Sequence, residues 1–208
     1  MFRTLRRLLR HTWLDHTDAA RAVPPALAER LRHDVAASEQ RHTGEVRICV
    51  EGSLPVSYLW RHLRQRVPLP ELVRQRALMM FAKLRVWDTE HNNGVLIYVL
   101  LAERAIELVA DRGVARFVDA AVWRDTVARL GVALREDRFE DGLTQALQEV
   151  SAVLVAHFPA ARRGPRRGRQ PVARRTRAAL TAPARRRPGW VAQPGPAAAE
   201  RAGGGGGA

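Results

Sequence analysis

The chain has 208 residues with 35 basic and 21 acidic side chains, a formal charge of +14, yet from Ala161 onward 48 residues hold 12 Arg and one acid, Glu200, so residues 1–160 are nearly balanced at net +3. About 160 residues suit one domain with a real core, and the high isoelectric point describes the tail. A single cysteine, Cys49, excludes an internal disulfide, no Cys/His cluster has zinc spacing, and the longest uninterrupted apolar run, Val95–Ala102, is far short of a membrane span; together these predict a cytoplasmic protein.

The first segment places Phe2, Leu5, Leu8, Leu9 and Trp13 on one helical stripe with arginines opposite. Arg6, Arg7 and Arg10 interrupt the leucines, so no secretory apolar region forms. Residues 1–22 therefore predict a basic amphipathic helix, either packed on the domain or resting on an anionic membrane surface, peripheral to the inner membrane.

Pro24 and Pro25 suit a helix start, where amide hydrogens lack partners anyway, and Leu27, Leu31, Val35 and Ser38 follow with helical spacing up to Thr43-Gly44. Residues 45–51 alternate strictly: Val46, Ile48 and Val50 on one face, Arg47, Cys49 and Glu51 on the other. That pattern predicts a strand with a mixed outer face. Pro55, Pro68 and Pro70 break the next stretch, leaving room for a turn of helix around Tyr58–Trp60. A stronger helix is expected from about Glu71 to Arg85, burying Val73, Ala77, Met80, Phe81 and Leu84.

A polar loop, residues 87–94, runs straight into Val95–Ala102, which is apolar at every position and so is expected to be buried on both faces. After Glu103-Arg104 the alternation of Ile106, Leu108 and Ala110 with Glu107 and Val109 predicts a hairpin partner. The first strand, the 71–85 helix and the second strand make a β-α-β unit with parallel strands. Trp123, Val127, Leu130 and Leu134, then Leu143, Leu147, Val150 and Leu154, predict two antiparallel helices broken at Asp137-Arg138.

The expected fold class is α/β: a small mixed central sheet of three to four strands layered with helices on both sides, over residues 23–159, plus a disordered C-terminal tail over 160–208. The tail holds six of the 12 prolines and nine of the 15 glycines, with too few apolar side chains to offset the entropy of ordering it. Its arginine clusters suit non-specific contact with nucleic acid. The whole chain has 34 Arg and only one Lys, Lys83, as GC-rich coding produces, and the tail also reads as what an out-of-frame GC-rich stretch encodes.

Most chemistries are excluded. There is no glycine-rich loop before Lys83 and no nucleophile elbow around any serine. Six residues past Cys49 stands Pro55 and not the arginine of a cysteine-phosphatase loop, so Cys49 reads as a packed thiol. No Arg or Lys occurs between Phe139 and Phe158, so the closing helices are poor DNA readers.

What remains is the polar loop. Asp88, Glu90, Asn92 and Asn93 precede the buried strand, and Asp111 and Arg112 end its hairpin partner. Antiparallel pairing brings Asp111 beside Asn92-Asn93. Oxygen ligands clustered at a sheet end suit a divalent cation such as calcium or magnesium, or another polar ligand; the same residues also cap turns.

The stretch NNGVLIYVLLAERAIELVADRGV, residues 92–114, resembles the central motif of the TPM domain family, which has thylakoid-lumen and bacterial members. The likeness extends over roughly 40–158. By position, Asn93, Gly94, Arg104 and Gly113 match the motif; Asn92 stands where the family has an acid, and Asp111 where it has a glycine. The resemblance implies an α/β domain with helices on both sides of a small sheet, and either phosphatase activity or an accessory role in assembly or repair. Taken together, these features predict a non-catalytic binding or accessory module with an unidentified protein partner. The alternatives are a weak metal-dependent phosphatase using Asp88, Glu90 and Asp111, and a tail that binds nucleic acid.

Overall fold

Three helices of the N-terminal half are each led in by a proline. In the computed structural model, which describes residues 21–160 and the backbone of Val191–Ala192, α1 (Pro25–Ser38), α2 (Val56–Arg64) and α3 (Leu69–Lys83) have Pro24, Pro55 and Pro68 as N-caps. The ring fixes φ near −57° there, and the missing amide hydrogen would have had no intrahelical partner. Pro55 therefore starts a nine-residue helix where only a turn around Tyr58–Trp60 was expected. Pro68 likewise starts α3 two residues earlier than expected, and α3 ends at Lys83 rather than Arg85.

Strands β1 (Val46–Glu51), β2 (Val95–Leu100) and β3 (Ala105–Ala110) form a mixed sheet in that order. β1 and β2 are parallel, Val46 opposite Val95, as the β-α-β reading requires. β2 and β3 are antiparallel, Val95 opposite Ala110 and Leu100 opposite Ala105. The backbone of Val191–Ala192 (β4) lies parallel to Ala105 and Ile106 on the outer edge of β3. A four-residue helix, α4 (Arg112–Ala115), follows β3, and α5 (Ala120–Arg135) and α6 (Phe139–His157) close the domain as the predicted pair.

Every side chain of β2 is buried, which the continuous apolar run foretold. One face of the sheet, with Val46, Val95, Ile97 and Ile106, packs on α1, α5 and α6 through Leu31, Leu130, Leu147 and Leu154. The other, with Cys49, Leu96, Tyr98 and Val109, packs on α2 and α3 through Leu59, Val73, Ala77 and Met80. Each such apolar side chain contributes about 1.5–3 kcal/mol by leaving water. The face of β1 carrying Arg47, Cys49 and Glu51 is thus not an outer face. Cys49 is buried and the Glu51 side chain is only 13% exposed, because α2 and α3 cover that side of the sheet. Met80 is core; Phe81 and Leu84 are only partly buried at its margin.

The expected helix over 1–22 lies outside the described residues but for its last two, as does the tail apart from Ala160 and the Val191–Ala192 backbone. Among the described residues no helix is long and apolar enough to cross a membrane.

Candidate functional site

The hairpin register determines what meets at one end of the sheet. Past the Val95–Ala110 pair, the Asp111 amide donates to the Gly94 carbonyl at 2.9 Å and the Gly113 amide to the Asn92 carbonyl at 2.9 Å. Asn92 turns the chain with φ 50°, a left-handed conformation that Asn tolerates better than most residues. Two glycines allow the strands and loop to approach this closely. A Cβ on Gly94 would stand 1.9 Å from the Val86 carbonyl oxygen, and one on Gly113 would stand 2.3 Å from that of His91.

Four of the six expected site residues share this rim. Asn93 is fully buried; its amide donates to Thr89 Oγ1 at 2.9 Å and its Nδ2 to Thr43 Oγ1 at 3.0 Å, while Oδ1 is buried with no hydrogen-bond partner. Asp111 caps α4, Oδ1 accepting from the Arg112 amide at 2.7 Å, and its Oδ2 is likewise buried and unpartnered. Arg112 is exposed and reaches Asn92, Nη2 donating to Oδ1 at 3.2 Å. Asp88 and Glu90 are both exposed, and Asp88 pairs with Arg85 at 3.0 Å. Among the described residues, no three His, Cys, Asp or Glu side chains are grouped so as to hold a metal ion.

The rim offers two buried acceptors and, at its edge, one guanidinium. It presents no nucleophile. Burial pushes the Cys49 thiol up to about 12, so it stays protonated and inert. His42 Nε2 lies 2.9 Å from Ser38 Oγ, and Ser38 in turn bonds Ser151; all three are 3% exposed or less. A Ser–His contact that no substrate can reach is a structural tie, here joining α1, the 39–44 loop and α6. Burial also lowers the His42 pKa.

Sequence reasoning missed three buried polar groupings: this tie, the Arg74–Glu107 pair, and Glu51 with Arg76 and Tyr98. The one local signal was Glu107, a lone acid in an otherwise apolar strand.

Comparison with known proteins agrees with this geometry. The model of the TPM domain family matches residues 16–153, well beyond the motif at 92–114 on both sides. The fold is similar to that of the BA42 protein from the psychrophilic bacterium Bizionia argentinensis, solved by NMR: 21% identity, TM-score 0.52, covering 68% of this chain and 84% of that one. It is similar also to the N-terminal domain of a P. gingivalis protein, at 20% identity and TM-score 0.51, covering 70% and 87%. At such identities the likeness is one of fold. No curated protein matches the chain.

Proposed function

We propose, from the premise that the chain belongs to the TPM domain family, that it is a cytoplasmic binding or accessory module whose contact point is the rim of Asn92, Asn93, Asp111 and Arg112. The observation that carries this reading is Asp111 Oδ2, a buried oxygen left without a hydrogen-bond partner on an only partly buried side chain at one end of the sheet, with Oδ1 of the fully buried Asn93 unpartnered as well. An unmade hydrogen bond of this kind costs about 1–3 kcal/mol, and a bound group supplying donors or a hard cation would recover it. Asp111 supplies a carboxylate beside the position where Asn92 replaces the family's acid. Arg112 stands at the edge, where it meets an anionic part of a ligand or partner.

The test is a titration of the full chain with Ca²⁺ and with Mg²⁺, followed by the backbone amide resonances. Shifts confined to residues 92–94 and 111–113, lost in Asp111→Asn, support the rim as a cation-binding point. Absence of any shift with either ion removes the cation, and the same experiment with inorganic phosphate then tests Arg112. If neither ions nor phosphate move these resonances, the reading fails. Hydrolysis of a phosphomonoester that depends on added metal and disappears in Asp111→Asn would replace it with the phosphatase reading.

A further inference from the structure

Helix α2 has a side that the other described residues leave exposed. It is held to the domain through buried Leu59, with Tyr58 packed beside it. Next to Leu59 on the helix surface, and turned away from the domain, it presents Val56, Trp60 and Leu63, which are 77%, 58% and 40% exposed. Their spacing of four and three residues puts them on one stripe of the helix. Between Gly52 and Pro70 the chain carries Arg61, Arg64 and Arg66 and no acid. Arg64 lies over the Trp60 ring at 5.7 Å and so edges the stripe, while Arg61 lies over Tyr58 at 6.0 Å.

An indole between two aliphatic side chains, edged by Arg64 in a segment whose other charges are also basic, matches the boundary between lipid headgroups and acyl chains. The apolar side chains leave water, the indole sits at the boundary, and the guanidinium groups reach back to phosphates. We propose that α2 is a peripheral membrane-contact surface, which places Val56, Trp60 and Leu63 among the headgroups of anionic lipids with Arg61, Arg64 and Arg66 on their phosphates. This surface is distinct from the rim of Asn93 and Asp111 and does not depend on it. Single-stranded nucleic acid fits the stripe less well, because Trp60 is its one stacking face and Val56 and Leu63 gain nothing from bases. One short helix binds weakly and loses its attraction to phosphates as salt rises.

The test uses the full chain with vesicles of phosphatidylcholine alone or mixed with phosphatidylglycerol, some carrying bromine on the acyl chains as a contact quencher of tryptophan emission. Trp60 is one of five tryptophans, so the difference between the native chain and Trp60→Phe isolates its signal. The expected result is quenching on anionic vesicles that falls in Trp60→Phe, and a bound fraction that drops at least about threefold in the Val56→Ser, Leu63→Ser double variant. Both positions are exposed, and an unchanged melting curve shows that the variant is folded. Equal quenching in Trp60→Phe, or undiminished binding by the folded double variant, overturns the proposal. It also falls if the double variant weakens binding to a single-stranded oligonucleotide while vesicle binding stays unchanged.

Discussion

Arg74 of α3 and Glu107 of β3 meet beneath the sheet, Nη1 donating to Oε2 at 3.0 Å, with Glu107 only 2% exposed. Burial outweighs the guanidinium and pushes the Glu107 carboxyl up to about 7. Its folded-state pKa is thus above the unfolded value, so the fold binds a proton that the unfolded chain releases at lower pH. The resulting stability is present in full below about pH 4.5 and disappears as pH rises through 7. The span corresponds to a loss on the order of 3 kcal/mol. His42 acts in the opposite sense: its lowered pKa contributes stability above about pH 6.5 that is lost on acidification. Urea denaturation at pH 5, 6, 7 and 8 separates the two, because Glu107→Gln should remove the decline towards pH 8 and leave the His42 effect in place. Equal slopes in both proteins would show that Glu107 is ionised throughout.

The tie between α1 and α6 yields a second expectation. Ser38 bonds both His42 and Ser151, and Ser151 Oγ also donates to the Leu147 carbonyl at 2.6 Å. Ser38→Ala leaves the buried His42 Nε2 unpaired and should cost about 1–3 kcal/mol. Ser151→Ala removes only one partner of Ser38, so it should cost less. The double variant should fall short of the sum, since the two side chains share one bond. Full additivity in denaturant melts would contradict the shared bond.

Gly94 and Gly113 take negative φ, so close approach and not backbone conformation requires glycine there. An added methyl meets a carbonyl oxygen at each, and backbone cannot swing aside as a flexible side chain can. Gly94→Ala and Gly113→Ala should each cost about 3 kcal/mol. Both should also perturb amide resonances on the two sides of the rim. A melting temperature within a degree of the native chain for either variant would show that the loop can retreat.

How far the sequence could be read depended on range. The unbroken run at Val95–Leu100 and the alternation after it are local patterns, and together they set the hairpin and so placed Asn93 and Asp111 at one rim. The motif at 92–114 pointed to the same family whose model covers 16–153. The second face of β1 was misjudged because alternation separates two faces without saying what covers them. The cover came from α3, whose Arg76 and Arg74 are 25 and 33 residues from the carboxylates they meet. Asp88 and Glu90 lie in a loop without periodicity, and nothing local tells which way such side chains point.

The last expectation concerns what holds α3 on that face. Arg76 bonds Glu51 through both Nε and Nη2, and the Tyr98 hydroxyl donates to Glu51 Oε2 at 2.7 Å, with the ion pair nearly buried and Tyr98 wholly so. Glu51 is thus the acceptor for two elements, β2 and α3. Removing it strands a buried guanidinium and a buried hydroxyl at once, so Glu51→Ala should cost about 3–5 kcal/mol. Tyr98→Phe deletes one donor while Arg76 continues to satisfy the carboxylate, and should cost about 1 kcal/mol. In the background of Glu51→Ala, Tyr98→Phe should become neutral or stabilising, because the hydroxyl it removes has already lost its partner. A penalty from Tyr98→Phe that is the same in both backgrounds would place the hydroxyl's contribution elsewhere than on Glu51.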